Sequence, residues 1–322
     1  MTKPFISIVI PAFNSCLTLG MTIDSCLLQD YPKDRFEVIV VDDGSTDNTA
    51  DLVKKFPVKY LYQKKSGPAQ ARNNGWRSSK GEWVCFIDAD CIPSKDWASR
   101  LLGHADKHSV GAVAGSYDAE GSVFLLDKFI HHEIRFRHSR MPIYINSFGT
   151  YNVTIKRDVL EELKGFDPLY SHASGEDSDL SYRIIKAGHR IYFEKQALVS
   201  HKNILKLRKY IAVQFRHGYW RMRLYRKNIT MVVKDEYGYW KDFVEVGLVI
   251  LSMLLMFSGA WAMVLAMLSG LFCLQLPLAF RITIDHRDIR YLFFSVITFI
   301  RSFVRVTGGI LGFIVFWITR KR

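Results

Sequence analysis

Four apolar runs of strand length alternate with helix-forming segments over the first ninety residues, and this order limits the possible folds. The apolar runs are FISIVIPAF, FEVIVVDD, VKYLYQ and EWVCFIDAD. The segments between them are TLGMTIDSCLLQ, STDNTADLVKKF and PAQARNNGWRSS, which begin with cap residues or proline. Continuously apolar strands separated by helices predict an α/β fold, with a mostly parallel sheet covered by helices on both faces.

The middle of the chain, residues 107–200, is less regular but continues the same pattern. The segments VGAVAGSY, RIYFE and ALVSH are typical of strands. The segments VFLLDKFIHHEIRFRHS and DSDLSYRIIKAGH are typical of helices, and Lys186 and Gly188 are suited to end the second one. We therefore expect one α/β domain over residues 1–200.

Aspartates follow two of the predicted strands, Asp42 and Asp43 after the second, and Asp88 and Asp90 after the fourth. Ligands of parallel sheets bind beyond the carboxyl ends of the strands, so we expect these acids to share a ligand. Alternate residues of a strand point to the same face, and paired carboxylates there suit Mg²⁺ or Mn²⁺. For Asp88 and Asp90 the alternative is an exposed turn, because DADC with Pro93 nearby is also turn chemistry.

Two further features suit a site that binds phosphate and removes a proton. Arg72 lies in a helix that follows the small-residue loop SGPA, and arginine and helix starts both favour anions. The alternative for Arg72 is an ordinary surface position. In SGEDSDLSYRIIKAGH, Glu176 and Asp177 stand at a helix start, either as favourable partners of the helix dipole or as a base that accepts a hydroxyl proton.

The C-terminal region is apolar enough to suggest a membrane. Residues 243–280 contain a single charge, Glu245, and have about the length of two short spans, with Ser258 and Gly259 at the turn. The alternative is a buried helical hairpin in a soluble protein. Residues 291–318 form another apolar segment with Arg301 and Arg305 on one helix face, either as one span or as a re-entrant hairpin bent at residues 307–309.

A basic block precedes these apolar segments and carries much of the formal net charge of +13. We expect residues 201–242 to form basic amphipathic interfacial helices on anionic lipid, and residues 243–322 to form transmembrane or re-entrant helices. Nucleic-acid binding is the competing interpretation of the charge, but no nucleic-acid motif accompanies it.

Cysteine usage and the N-terminus bear on the compartment. The five cysteines give an odd count without CxxC pairs, which argues against a disulfide framework and a zinc site and fits a reducing environment. The start MTKPFISIVIPAF lacks a signal-peptide pattern. We therefore expect a multi-pass protein of the cell membrane whose catalytic domain is cytoplasmic.

Six motifs in order resemble those of the family 2 glycosyltransferases, over roughly residues 4–220. They are ISIVIPAFN, EVIVVDDGSTDNT, GPAQARNNG, FIDADCIP, GTYNVTIKRDVLEELKGFD and GEDSDLSYRIIKAGHRI. The resemblance implies an inverting enzyme with the nucleotide-diphospho-sugar transferase (GT-A) fold. It also implies a UDP- or GDP-sugar donor and Mg²⁺ or Mn²⁺ as the cofactor.

The resemblance further implies a role for each matching residue. Asp177 resembles the catalytic base, with Glu176 beside it. Asp88 and Asp90 resemble the metal-binding DxD pair, with Asp90 the more direct ligand, and His201 resembles a histidine that completes the metal site in some relatives. The positions that resemble donor contacts are Pro11, Ala12, Asn14, Asp42, Asp43, Arg72, Asp88 and Asn152.

The chain departs from the family pattern in two places. Many relatives have glutamate after the asparagine of the first strand, where this chain has Ser15. The QxxRW motif of processive polysaccharide synthases is incomplete, because His217 and Gly218 replace its Arg and Trp. The nearest candidates for contact with an acceptor or a phosphate are Gln214, Arg216, Trp220 and Arg221.

The sequence thus predicts sugar transfer from the nucleotide-sugar donor to a hydroxyl of a lipid-linked or membrane-proximal glycan. Within the same class, the alternative is a processive polysaccharide synthase. A sugar nucleotidyltransferase is the alternative from another class, since it shares a parallel sheet and metal-binding acids. A non-catalytic membrane scaffold is disfavoured by the intact acidic motifs.

Overall fold

A computed structural model describes residues 3–105, 109–118, 124–170, 172, 174–201, 206–230 and 240–319. Two compact units are present, and each is described by itself. The first comprises Met1–Ser122 and Ile134–Asn203, and the second comprises Val123–Glu133 and Ile204–Arg322.

The first unit is built on a nine-stranded sheet. Its strands are β1 Ile6–Ala12, β2 Phe36–Asp42, β3 Lys59–Tyr62, β4 Trp83–Phe86, β5 Cys91–Pro93, β6 Val110–Asp118, β7 Tyr144–Ile145, β8 Val153–Lys156 and β9 Arg190–His201. The strand order is β3-β2-β1-β4-β8-β6-β9-β5, and β7 pairs with β9. The four strands from β3 to β4 are mutually parallel, as the sequence predicts, whereas β8, β5 and β7 pair antiparallel with their neighbours.

Helices connect these strands: α1 Leu19–Leu27, α2 Thr49–Val53, α3 Pro68–Arg77, α4 Trp97–Leu102, α5 Leu125–Ser139, α6 Arg157–Glu162 and α7 Glu176–Lys186. Strand β1 illustrates the packing, because its side chains on both faces are almost entirely buried. Helix α3 lies close to the sheet, since a Cβ at Gly75 would collide with Val9 and contact Val41. The Gly67 N–H, immediately before α3, donates to Asp43 Oδ2 at 2.9 Å, so the start of α3 lies at the carboxyl end of β2.

Two strand predictions need correction. The fourth strand ends at Phe86, four residues earlier than the sequence indicates, so Asp88 and Asp90 lie in a turn and not on one strand face. The two short strands expected at residues 190–200 form a single strand, β9, whose pairing with β6 shifts register at Gly115 and Ser116.

The second unit is helical. After the first part of α5 come α8 Leu207–Lys227, α9 Trp240–Phe257, α10 Trp261–Cys273, α11 Leu276–His286 and α12 Phe294–Phe313. Helices α9 and α10 are separated at residues 258–260, where Gly259 has a φ of 73°, in agreement with the predicted turn. By length and composition, Trp261–His286 and Ile289–Ile318 are long and apolar enough to cross a membrane. Of the two alternatives for this segment, the re-entrant hairpin bent at residues 307–309 is wrong, because α12 continues through them without interruption.

Candidate active site

Arg72 is the centre of the polar cluster at the carboxyl edge of the parallel strands. Its guanidinium donates one hydrogen bond to Glu176 Oε1 and another to Asp88 Oδ1, each at 2.8 Å. The Arg72 and Glu176 side chains are each only 3% exposed, whereas Asp88 is 33% exposed. The second oxygen of Glu176 accepts from the Ser174 N–H at 2.7 Å. One buried arginine therefore joins the acid after β4 to the acids that begin α7.

Asp177 follows Glu176 on the first turn of α7. Part of the residue remains exposed, but the surrounding protein desolvates its carboxyl group and raises its pKa to about 7. The neighbouring Glu176 carboxylate acts in the same direction, while the Ser178 N–H, at 2.8 Å, and Arg72 oppose it. A carboxyl group with a pKa near neutrality is suited to general-base catalysis.

A possible metal site lies where β5 pairs with the end of β9. Cys91 is the register partner of His201, which brings His201 Nε2 to 3.2 Å from Asp90 Oδ1. Potential ligand atoms of Asp90, Cys91 and His201 lie within 4.8 Å of one another.

The chemistry of this site fits a divalent metal. A carboxylate oxygen and an imidazole nitrogen are donors that Mn²⁺ accepts in proteins, and Mg²⁺ prefers the oxygen. Burial, together with the Asp90 and Asp88 charges, holds the pKa of the Cys91 thiol well above its usual value. A protonated thiol is a poor metal ligand, so Asp90 and His201 are the better candidates.

Asp42 and Asp43, the acids after β2, are buried and already accept hydrogen bonds from the chain. Asp42 accepts from Ser45 N and from the Tyr60 hydroxyl, both at 2.8 Å. Asp43 accepts from Gln63, Ser66 N and Gly67 N at 2.7, 2.7 and 2.9 Å. Gly67 has a φ of 93°, a conformation that glycine tolerates, and it immediately precedes α3. The two aspartates thus fix the loops beside Arg72.

The remaining predicted contacts at the end of β1 shape the same edge. Pro11 and Ala12 pair in register with Val41 and Asp42 of β2. Asn14 is exposed with a φ of 49°, and its side-chain oxygen accepts from Thr46 N at 2.8 Å. Asn14 therefore links the loop after β1 to the loop after β2.

Asn152 lies in the core, where all its side-chain polar atoms have protein partners. Its amide nitrogen donates to the carbonyls of Ser116 and Ala197 at 2.7 and 2.8 Å. Its amide oxygen accepts from the Trp97 indole at 2.7 Å. The residue is 1% exposed. It therefore braces β6 and β9 where their register shifts.

Residues 7–163 match the model of glycosyl transferase family 2. These residues form a domain of this family. Probable glycosyltransferase YdaM of Bacillus subtilis is 32% identical over 212 residues, which cover 61% of this chain and 50% of that protein. Glycosyltransferase AglE of Haloferax volcanii is 28% identical over 212 residues, which cover 62% of this chain and 67% of that protein. The chain thus spans about half the length of the first relative and two thirds of the second.

Solved structures show the fold of the chain. Mannosyltransferase PcManGT of Pyrobaculum calidifontis, in complex with GDP-Man and Mn²⁺, has a TM-score of 0.63 at 21% identity, covering 96% of this chain and 88% of that chain. GalNAc-T7, with UDP, GalNAc and Mn²⁺, has a TM-score of 0.52 at 19% identity, covering 70% of this chain and 50% of that chain. The fold is therefore the GT-A fold that the motifs imply.

The structure groups the predicted site residues other than Pro11 and Ala12 into three sets. Arg72 connects Asp88 with Glu176, next to Asp177, and Asp90 lies beside His201. The residues that fix the loops or the core form a second set: Asn14, Asp42, Asp43 and Asn152. Four residues belong to α8 in the second unit, namely Gln214, Arg216, Trp220 and Arg221.

Sequence reasoning missed a brace that holds the first turn of α7. Arg183 donates to Asp179 at 2.9 Å and to the backbone carbonyls of Leu163 and Gly165 at 2.8 Å each. Gly165 has a φ of 69°, so its carbonyl is presented from a turn that glycine favours. The glycine in KGF and the i, i+4 spacing of Asp179 and Arg183 are the sequence signals for this brace.

A cavity of about 450 Å³ also lies in the first unit, beside the register shift of β9. Its charged lining includes Arg100, Arg135, Lys195 and Asp96. Tyr117 lines the same cavity and stacks against the His201 ring at 6.0 Å between centroids. The cavity therefore adjoins the possible metal site through one aromatic ring, and its lining carries more positive than negative side chains.

Proposed function

We propose that the protein is a membrane-bound, inverting glycosyltransferase of the hexosyltransferase type. It transfers a sugar from a UDP- or GDP-sugar to a hydroxyl of a lipid-linked or membrane-proximal glycan. The observation that carries the proposal is the contact of one buried arginine, Arg72, with both Asp88 and Glu176, next to a carboxyl group of raised pKa. This arrangement provides a positive group for a diphosphate and a base for a hydroxyl within one cluster.

Asp177 is the proposed base. Its carboxylate accepts the proton of the acceptor hydroxyl while that oxygen forms a bond to the anomeric carbon. The bond from the anomeric carbon to the diphosphate oxygen breaks on the opposite side, so the configuration inverts and a nucleoside diphosphate leaves. Arg72 supports this step electrostatically, and no described residue accepts from its remaining Nε–H.

Asp90 and His201 would hold a divalent metal, with Asp88 as a further candidate ligand. When bound, Mg²⁺ or Mn²⁺ supplies Lewis-acid stabilisation of the leaving diphosphate. Both solved neighbours contain Mn²⁺, which supports Mn²⁺ as a candidate. The loops fixed by Asp42, Asp43 and Asn14 are proposed to surround the nucleoside, with Pro11 and Ala12 at the strand end below them.

Asp90→Ala is expected to abolish metal-dependent donor binding, because it removes the carboxylate that faces His201. His201→Ala should weaken Mn²⁺ binding in the same direction. Titration calorimetry with UDP and GDP, with and without Mn²⁺, measures both effects. Asp51→Ala is the control, since Asp51 is exposed and pairs only locally with Lys54 at 2.8 Å. Unchanged metal-dependent binding in Asp90→Ala would exclude Asp90 as a ligand.

Activity should rise with pH across neutrality. The pKa of Asp177 is raised to about 7, so the carboxyl is mostly protonated below that pH and mostly ionised above it. Only the ionised form accepts a proton, and turnover at about pH 6 should be about tenfold lower than at about pH 8. Initial rates at saturating donor, measured across this pH range, test the expected rise in activity. Donor binding over the same pH range is the control. A flat profile would contradict the assignment of Asp177.

A panel of nucleotide sugars, scored for metal-dependent release of UDP or GDP, tests the proposed reaction. Each alternative gives a different product. Release of pyrophosphate would indicate a nucleotidyltransferase. Long products from a purified sample would indicate a processive polysaccharide synthase, and a single added sugar supports the transferase proposed here.

Membrane attachment is proposed for the second unit. The two long apolar segments support it, as does the basic composition of α8. We assign residues 1–200 to catalysis and residues 201–242, of which 202–205 and 231–239 lie outside the described residues, to interfacial helices. Residues 243–322 are assigned to helices that contact the bilayer. The buried free cysteines Cys26, Cys85 and Cys91 support a cytoplasmic location of the catalytic residues.

A further inference from the structure

Helices α8 and α12 form a parallel pair within the second unit. Arg301 donates to the Tyr210 hydroxyl at 3.3 Å, and Arg305 donates to the Gln214 side chain at 2.7 Å. Nearer the C-terminus, the Trp317 indole donates to the Met222 carbonyl at 3.2 Å. The partners advance in the same direction along both helices, so the two run side by side from about residue 210 to residue 222 of α8.

Glycines allow the backbones of this pair to approach closely. A Cβ at Gly308 would collide with the Phe215 carbonyl, and a Cβ at Gly312 would collide with the Tyr219 carbonyl. Gly218 of α8 faces the Arg305 carbonyl of α12 in the same way. Such spacing of small residues favours tight helix pairing. Whatever depth α12 occupies in a bilayer, α8 must therefore occupy it too.

The composition of α8 is incompatible with the hydrocarbon core. Exposed Arg208 and Lys209 lie just before the level of Arg301. Arg216 and Arg221 are half-buried beside the glycine contacts. Charged side chains in the middle of a bilayer are costly unless they face protein or water. If α12 crossed the hydrocarbon core, some of these basic residues of α8 would have to lie inside the core.

Contacts with the helical hairpin α9–α10 also place α12 at the membrane surface. Ser302 donates to Glu245 at 2.8 Å, and Gln275 donates to the same carboxylate at 3.1 Å. Glu245 and Gln275 are at the end of the hairpin away from its turn at residues 258–260. The sequence between these two residues has no charge, and Phe257 at the turn is 92% exposed. A hairpin that enters a bilayer with its turn first leaves Glu245, and α12 with it, at the surface.

We propose that α12 does not cross the membrane, despite its length, but lies with α8 in the interface of an anionic bilayer. This proposal rests on the proposed membrane attachment. Exposed apolar side chains of α12, such as Ile300, Ile310 and Phe313, enter the acyl boundary. The basic side chains of α8 meet anionic headgroups. The helix pair therefore offers apolar side chains to the acyl boundary and positive charge to the headgroups.

The accessibility of the two ends of the α12 segment tests this placement. Arg290→Cys and Thr319→Cys replace exposed polar side chains just outside the two ends of α12, in the full chain carrying Cys16→Ser and Cys273→Ser. The remaining cysteines are buried. Protein is added to preformed, sealed vesicles of phosphatidylcholine and phosphatidylglycerol, floated, and treated with a membrane-impermeant maleimide. Both positions should react fully before the vesicles are opened.

Leu28→Cys, in the catalytic unit and 66% exposed, is the control that reports the outer face. Reaction at only one end of α12 before detergent, or at neither end, would overturn the interfacial placement while leaving membrane attachment intact. Failure of the unlabelled protein to float with the vesicles would overturn the attachment and this inference together.

Discussion

Asp177→Asn should lower turnover by about 10²- to 10⁴-fold, the usual contribution of a positioned general base. The amide has nearly the same shape as the carboxyl group and can still accept from the Ser178 N–H, but it cannot take up the acceptor proton. Its neighbours Glu176 and Arg72 remain in contact. Initial rates of UDP or GDP release, with saturating donor and acceptor, measure the loss.

Donor binding separates this chemical effect from damage to the site. The base acts on the acceptor, so calorimetry should give the same donor affinity for Asp177→Asn and for the unaltered protein. Asp179→Asn is the matched control on the same helix turn, because Asp179 is buried against Arg183. That variant should lose thermal stability and lose far less turnover than Asp177→Asn, because the base itself remains. Ordinary turnover in Asp177→Asn would remove Asp177 from the reaction.

Local patterns in the sequence predicted the parallel part of the sheet well. Strands β1, β2 and β4 are apolar runs, a helix follows each of β1, β2 and β3, and parallel pairing places the carboxyl ends of all four strands at one edge. The end of β4 was less predictable. Ile87 continues the apolar run, and only pairing with the neighbouring strands decides that β4 ends at Phe86. Asp88 therefore turns toward Arg72, and Asp90 turns toward His201.

Polar contacts between distant residues were beyond sequence reasoning. Arg72 and Glu176 are separated by 104 positions, so no spacing rule connects them. Asn152 illustrates the opposite difficulty. A polar residue in a motif suggests a ligand contact, yet its hydrogen-bonding capacity is taken up by Ser116, Ala197 and Trp97. The sequence gives the residue type, but only the fold shows which polar groups already have partners.

Under the proposed interfacial placement, hydrophobic length is a similarly incomplete guide to α12. Its composition indicates a span, and Arg301 and Arg305 complicate that interpretation without deciding it. The deciding neighbour is α8, a basic helix roughly ninety residues earlier in the chain that packs parallel to it. Helices that pack together share one depth in a membrane. The apolar length of a single helix therefore does not show by itself whether that helix crosses the membrane.

Arg72→Met should destabilise the protein by about 3–5 kcal/mol, because it leaves the buried Glu176 carboxylate without its positive partner. Methionine retains much of the aliphatic volume, so lost packing contributes little. The melting temperature of the purified protein measures the effect. Arg72 also lowers the pKa of Asp177. In the variant, the rise of the remaining activity with pH should therefore occur at higher pH.

Two double variants show whether the effect comes from the buried charge. Arg72→Met/Glu176→Gln should regain part of the lost stability, since the uncompensated carboxylate becomes a neutral amide that still accepts from Ser174 N–H. Arg72→Met/Asp88→Asn is the matched control, and it should regain less because Asp88 is 33% exposed and remains solvated. Equal recovery in both variants would mean that the burial of Glu176 is not the source. A single Arg72→Met variant as stable as the unaltered protein would show that the arginine does not hold the two acidic segments together.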